Sequence, residues 1–161
     1  MKAGEVLARQ ADGVSCGPTV LLVTAALAEG ATPVDVPAAA QRAAHRQANR
    51  VWPRFLGTTP WGMRAWLRRH APAAGRFRIR RWSARTARAV TAAVAAGNPV
   101  PLLVGARIPR HWVLVLGLDG GAWLVFEPSS GQVRRLDPAV LLRGDAAGVV
   151  GWPRAFCALL G

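Results

Sequence analysis

The segment Gln10-Ala-Asp-Gly-Val-Ser-Cys16-Gly-Pro-Thr sets an amide side chain six residues ahead of a thiol, and the thiol opens an apolar run. Residues 16–29 (CGPTVLLVTAALAE) read as a buried helix. Ser15 is expected as its N-cap, Pro18 suits its first turn, and Gly30 its C-cap. A thiol in a first helical turn feels the positive end of the helix dipole, which favours the thiolate. Gly13 and Gly17 are expected to leave the approach to sulfur open. Acyl transfer through such a nucleophile needs donors for the oxyanion of the tetrahedral intermediate. The backbone N–H of Cys16 supplies one, and the side-chain amide of Gln10 the other.

A base comes from one of three histidines. His45 lies among arginines at helical spacing and reads as a solvated surface residue. His70 closes a short helix and reads as its cap. His111 opens the strand HWVLVLGL directly after the irregular Arg107-Ile-Pro-Arg110, which puts an imidazole on a rigid element at the mouth of a sheet. A third group should orient that ring and fix its tautomer. Glu127, at the far end of the next strand, is the candidate. With a three-residue loop Asp119–Gly121, Leu118 pairs with Ala122 and Val113 with Glu127, leaving His111 on the face of Glu127. A two- or four-residue loop puts the carboxylate on the opposite face. Asp119 falls at the turn, far from His111.

The elements that must carry these groups follow from periodicity. Helices are expected over 35–50, 60–70 and 84–96, with Arg42, Arg46 and Arg50 on one face of the first. Residues 76–82 alternate as a half-exposed strand. Further strands are expected at 100–105, 111–118, 122–127, 132–136 and near 149–160, with Asp119-Gly120-Gly121 as a hairpin signal. Helices thus lead and an antiparallel sheet follows, which is the α+β pattern. The 161 residues fit a single domain, 1–161.

Twenty arginines and one lysine far outnumber the carboxylates and leave a net charge of +13. No carboxylate occurs between Val36 and Asp119, a stretch with fifteen arginines, so one side is expected to be strongly positive and to favour acidic partners. Most of the seven tryptophans are expected in the core. Cys157, within FCALL, reads as a small buried hydrophobe. No Cys/His cluster has ligand spacing and no phosphate-binding glycine loop occurs, so neither metal nor other cofactor is expected. The N-terminal residues lack a signal-peptide core and no apolar run reaches spanning length, so a cytoplasmic protein without a membrane span is expected.

Gln-x5-Cys-Gly-Pro, then His-Trp-Val-Leu-Val-Leu-Gly-Leu-Asp, then a strand ending in acid-Pro resembles the C39-like peptidases of the papain-like superfamily. The resemblance covers Gln10–Thr24 and Arg110–Gly131. It implies a papain-like fold and a cysteine peptidase with Cys16 as nucleophile, His111 as base, Gln10 in the oxyanion hole and Glu127 orienting the histidine. The family usually has aspartate at that last position, and this chain has Glu127-Pro128. Many members cleave leader peptides after paired glycines, fused to a transporter for which 161 residues leave no room. The implied partner is a peptide or protein substrate, acidic or with a glycine-rich cleavage site. Two other readings keep the same residues in view. One is an acyltransferase or ligase on the same fold. The other is an inactive basic module binding nucleic acid or an acidic protein.

Overall fold

Strand-forming runs of valine and leucine build one six-stranded sheet in the computed structural model, which describes residues 1–33 and 35–161. The strands are β1 (Arg78–Arg81), β2 (Val100–Gly105), β3 (Pro109–Asp119), β4 (Ala122–Glu127), β5 (Gln132–Leu136) and β6 (Arg154–Leu160). They lie in the order β1-β6-β2-β3-β4-β5, every neighbouring pair antiparallel. The helices are α1 (Cys16–Ala28), α2 (Ala38–Ala48), α3 (Pro60–His70), α4 (Ala84–Ala95), α5 (Pro138–Arg143) and α6 (Ala147–Val150).

Alternation along the central strands divides the core in two. Trp112, Leu114 and Leu116 of β3 pack with Val20, Leu21 and Val23 of α1 and with Met63 and Leu67 of α3. Val113 and Val115 face the other way, against Val90 and Val94 of α4, Leu141 of α5 and Val150 of α6. Helices therefore cover both faces of the sheet, and α1 is the central one, buried from Cys16 through Leu21. It has no polar stripe because no side of its first half meets water. Gly30, at φ 76°, ends it: its N–H donates to Leu27 O at 3.1 Å and that of Ala31 to Ala26 O at 2.9 Å.

The α+β class is as expected, with corrections in detail. Two short helices, α5 and α6, follow β5, and the last strand begins at Arg154 rather than near 149. The second helix starts at Ala38 and stops at Ala48, so Arg50 lies beyond it. Ser15 precedes α1 but its hydroxyl does not cap the helix; it donates to Asp12 Oδ1 at 2.5 Å.

The β3–β4 hairpin departs from the expected three-residue loop. Asp119 pairs with Ala122, so the turn has two residues, Gly120 and Gly121, at φ 56° and 87°. Only a residue without Cβ takes such angles in succession at little cost. A two-residue turn alone would put Glu127 on the wrong face for His111. The ladder corrects itself at a bulge: Val115 pairs with Val125, but Gly117 pairs with Leu124, and Leu116 is the extra residue. Beyond the bulge Leu114 pairs with Phe126, the register that the longer loop would have produced.

Candidate functional site

Cys16 is the first residue of α1, at the helix end where amides have no intrahelical acceptor. Its own N–H therefore opens toward the loop. On one side the chain approaches closely: a Cβ on Gly17 would come within 2.7 Å of Thr58 Oγ1 and 3.3 Å of Trp112 Cδ1. Trp112 closes that wall by donating from Nε1 to Thr58 O at 2.8 Å. A Cβ on Gly13 would meet nothing, but Cys16 itself is buried, at 4% exposed, and Gly17 is tightly packed rather than open as expected.

His111 and Glu127 meet at 2.8 Å, Nε2 to Oε1, and only 7% and 6% of their surfaces are exposed. Cys16 is among the groups that act on the ring, and with Nε2 taken by the carboxylate, Nδ1 is the nitrogen left for sulfur. Burial works against a charge on the ring. The neighbouring Cys16 and Glu127 outweigh it and raise His111 to about 9. Burial likewise disfavours the Glu127 anion. The His111 bond and the N–H groups of Ser129 and Ser130, at 2.8 and 2.9 Å, win and hold the carboxyl well below its usual range. The glutamate thus reaches the ring despite its extra methylene, and the following turn fixes both of its oxygens.

Gln10 lies on the segment entering α1. That segment is tied to the end of β4: Gln10 N donates to Pro128 O and Leu7 N to Gly131 O, at 2.8 and 2.7 Å. The side chain donates from Nε2 to Asp12 O at 2.8 Å and accepts from Ser129 Oγ at 3.3 Å. One of its two amide protons is thereby spent within the loop, and the other is available to a ligand.

Sequence reasoning missed Gln41 of α2, a buried side chain that grips both neighbours of Gln10. Its Oε1 accepts from Ala11 N at 2.8 Å, and its Nε2 donates to Arg9 O at 2.9 Å. Its bonds to Thr19 and Val36 complete its hydrogen-bonding. Asp12 is a second missed anchor. It accepts from Val14 N at 3.1 Å, from Ser15 and from Arg54, bonds that keep its carboxyl ionised against burial.

The other candidates sort differently. His45, expected in solvent, is buried, because α2 turns Gln41, Ala44 and His45 toward α1 and α3. His70 is exposed at the end of α3 and stacks on Trp66 with ring centroids 4.4 Å apart. Asp119 pairs with Arg135 at the hairpin turn. Cys157 is buried, and burial pushes its thiol up to about 11. Trp66, Trp112 and Trp123 are core, whereas Trp52 and Trp61 are exposed. Among the described residues no group of three or more His, Cys, Asp or Glu side chains is placed to hold a metal ion, and no helix is long and apolar enough to cross a membrane.

No protein-family model and no curated protein sequence matches the chain. Solved structures do. The peptidase domain of Streptococcus ComA, a bifunctional ABC transporter involved in quorum sensing, superposes with a TM-score of 0.55 at 18% identity, over 96% of this chain and 97% of that one. A double-glycine motif protease from an AMS/PCAT transporter, solved with a leader peptide, gives 0.58 at 13% identity, over 98% and 91%. The chain therefore has the α+β fold of C39 peptidase domains, the fold that its sequence motifs imply.

Proposed function

We propose that the protein is a cysteine peptidase whose nucleophile is Cys16. The observation that carries this reading is the buried imidazole of His111, held by a carboxylate at 2.8 Å and raised in pKa by that carboxylate and by Cys16. A ring raised to about 9 is protonated at neutral pH, so it offers a proton to a leaving group and a positive charge to a thiolate.

The reaction then runs through two half-steps. The Cys16 thiolate attacks the peptide carbonyl, and the oxyanion receives hydrogen bonds from the Cys16 N–H and the free amide proton of Gln10. As the intermediate collapses, the C–N bond breaks, His111 passes its Nδ1 proton to the departing amine, and an acyl thioester remains on sulfur. Water, giving a proton back to His111, attacks the thioester and releases the carboxylic acid and the Cys16 thiolate. Glu127 keeps the Nε2–H and stabilises the imidazolium without taking its proton.

The substrate we infer is a peptide with paired small residues before the scissile bond. The support is the fold shared with a double-glycine motif protease. Incubating the protein with peptides carrying Gly-Gly, and weighing the products with and without an added amine, tests the reading. Cleavage after the second glycine that Cys16→Ala abolishes is expected. Amide products with the added amine would move the assignment to acyl transfer, and intact peptides throughout would contradict both.

A further inference from the structure

α2 carries a second polar cluster on the turns after Gln41. Arg42 and Arg46, one helical turn apart, stand beside His45, Asn49, Trp52 and Arg54 around a pocket of about 200 Å³. That is below the roughly 300–1,000 Å³ of sites for drug-sized ligands, and suits a group the size of one side chain. We propose that this pocket binds a small oxyanion, either the carboxylate of an acidic residue in the peptide or free phosphate. The first source rests on the peptidase reading; the pocket's anion chemistry does not.

Three observations converge on it. His45 is 2% exposed, lines the pocket, and has no hydrogen-bond partner at either ring nitrogen. A buried imidazole N–H without an acceptor is costly, and an anion entering beside it offers one. Among the described residues neither Arg42 nor Arg46 has an ion-pair partner. Finally, Arg54 is already aimed: Asp12 takes its Nη2, which orients the guanidinium and leaves Nη1 and Nε as donors. Among the described residues no carboxylate lines the pocket, and Asp12 beside it has its charge engaged by Arg54 and by the Ser15 and Val14 donors. Three guanidiniums against one paired carboxylate leave the pocket positive. Asn49 serves as wall, its amide donating to Gly57 O at 2.7 Å.

The position matters for substrate choice. Arg54 is bonded to Asp12, on the same loop as Gln10 and four residues before Cys16, so the pocket borders the loop that carries the proposed oxyanion donor, and a carboxylate of the peptide is one source of the anion.

Calorimetric binding tests this without any turnover. Inorganic phosphate is titrated into the wild-type protein, and paired Gly-Gly peptides differing only by Asp or Asn at one position are titrated into Cys16→Ala. Each titration is repeated with R42A/R46A and with R68A/R69A, which removes equal charge from exposed positions on α3. Weakening by about tenfold or more in R42A/R46A, with little change in R68A/R69A, is expected for at least one probe. An Asp-over-Asn preference lost in R42A/R46A assigns the pocket to the peptide's carboxylate. Phosphate binding alone assigns it to a free oxyanion. Equal weakening in both double variants, or no binding of phosphate and no Asp preference in the parent proteins, overturns the site. Cleavage assays on the wild type report separately on the peptidase reading.

Discussion

His111 and Glu127 sit on neighbouring strands with Nε2 and Oε1 2.8 Å apart, and the bulge at Leu116 is what brings them there. Without that extra residue, the two-glycine turn would send the carboxylate to the far face of the sheet. The same carboxylate is fixed by the Ser129 and Ser130 amides, so its position does not depend on the histidine alone.

Glu127→Gln removes a charge but keeps the size. The alkaline limit of activity, set by His111 losing its proton, is expected near pH 9 in the wild type and lower in the variant. The loss of kcat/KM at neutral pH is expected to be about tenfold to a hundredfold. Stability follows from the same shifts. The contribution of His111 is full below its ordinary value of 6.5 and disappears as pH rises through about 9. That of Glu127 is full above its ordinary 4.5 and disappears as pH falls below it. Melting curves should therefore show the largest advantage of wild type over Glu127→Gln between pH 4.5 and 6.5. An advantage that grows above pH 9 contradicts the assignment.

Gln10→Ala should lower kcat by about a hundredfold with KM little changed, because its free N–H acts on the oxyanion more than on the bound peptide. Gln41→Leu should reproduce part of that fall in kcat, since it releases Ala11 and Arg9 on either side of Gln10. Steady-state kinetics separates this from general loosening, which raises KM as well.

Gly17→Ala is a packing test. Its new Cβ meets the Cβ and Oγ1 of Thr58, at 2.8 and 2.7 Å, with Trp112 behind. Neither is the loose end of a flexible chain, so the start of α1 must move. A destabilisation of roughly 1–3 kcal/mol is expected in denaturant unfolding, together with lower activity at temperatures where the variant remains folded.

Much of this arrangement is legible in the amino-acid sequence. The loop from Gln10 to Cys16 is local, and the Ser15-Cys16-Gly17-Pro18 start of α1 has a direct reading in helix-end chemistry. The partnership of His111 and Glu127 is legible as well, although the turn length behind it is not: a bulge is a choice between ladder registers that the residues Val115-Leu116-Gly117 do not announce. Gln41 and His45 escape sequence reasoning for a different reason. α2 mixes alanines with long polar side chains and has no large apolar residue to mark its inner face, so its contact with α1 and α3 decides which polar groups are buried. α5 has a signal in Asp137-Pro138, where the Asp137 side chain accepts from Ala139 N at 2.9 Å, but six residues are too few for periodicity to speak.

The central claim is that Cys16 and His111 work as an activated pair, and the alkylation rate of Cys16 by iodoacetamide at neutral pH tests it most directly. Peptide mapping distinguishes it from Cys157, whose buried, raised thiol should label slowly. The account predicts fast, selective labelling of Cys16 in the wild type and a fall of about tenfold or more in His111→Ala. Equal, slow labelling of Cys16 in both proteins would contradict it.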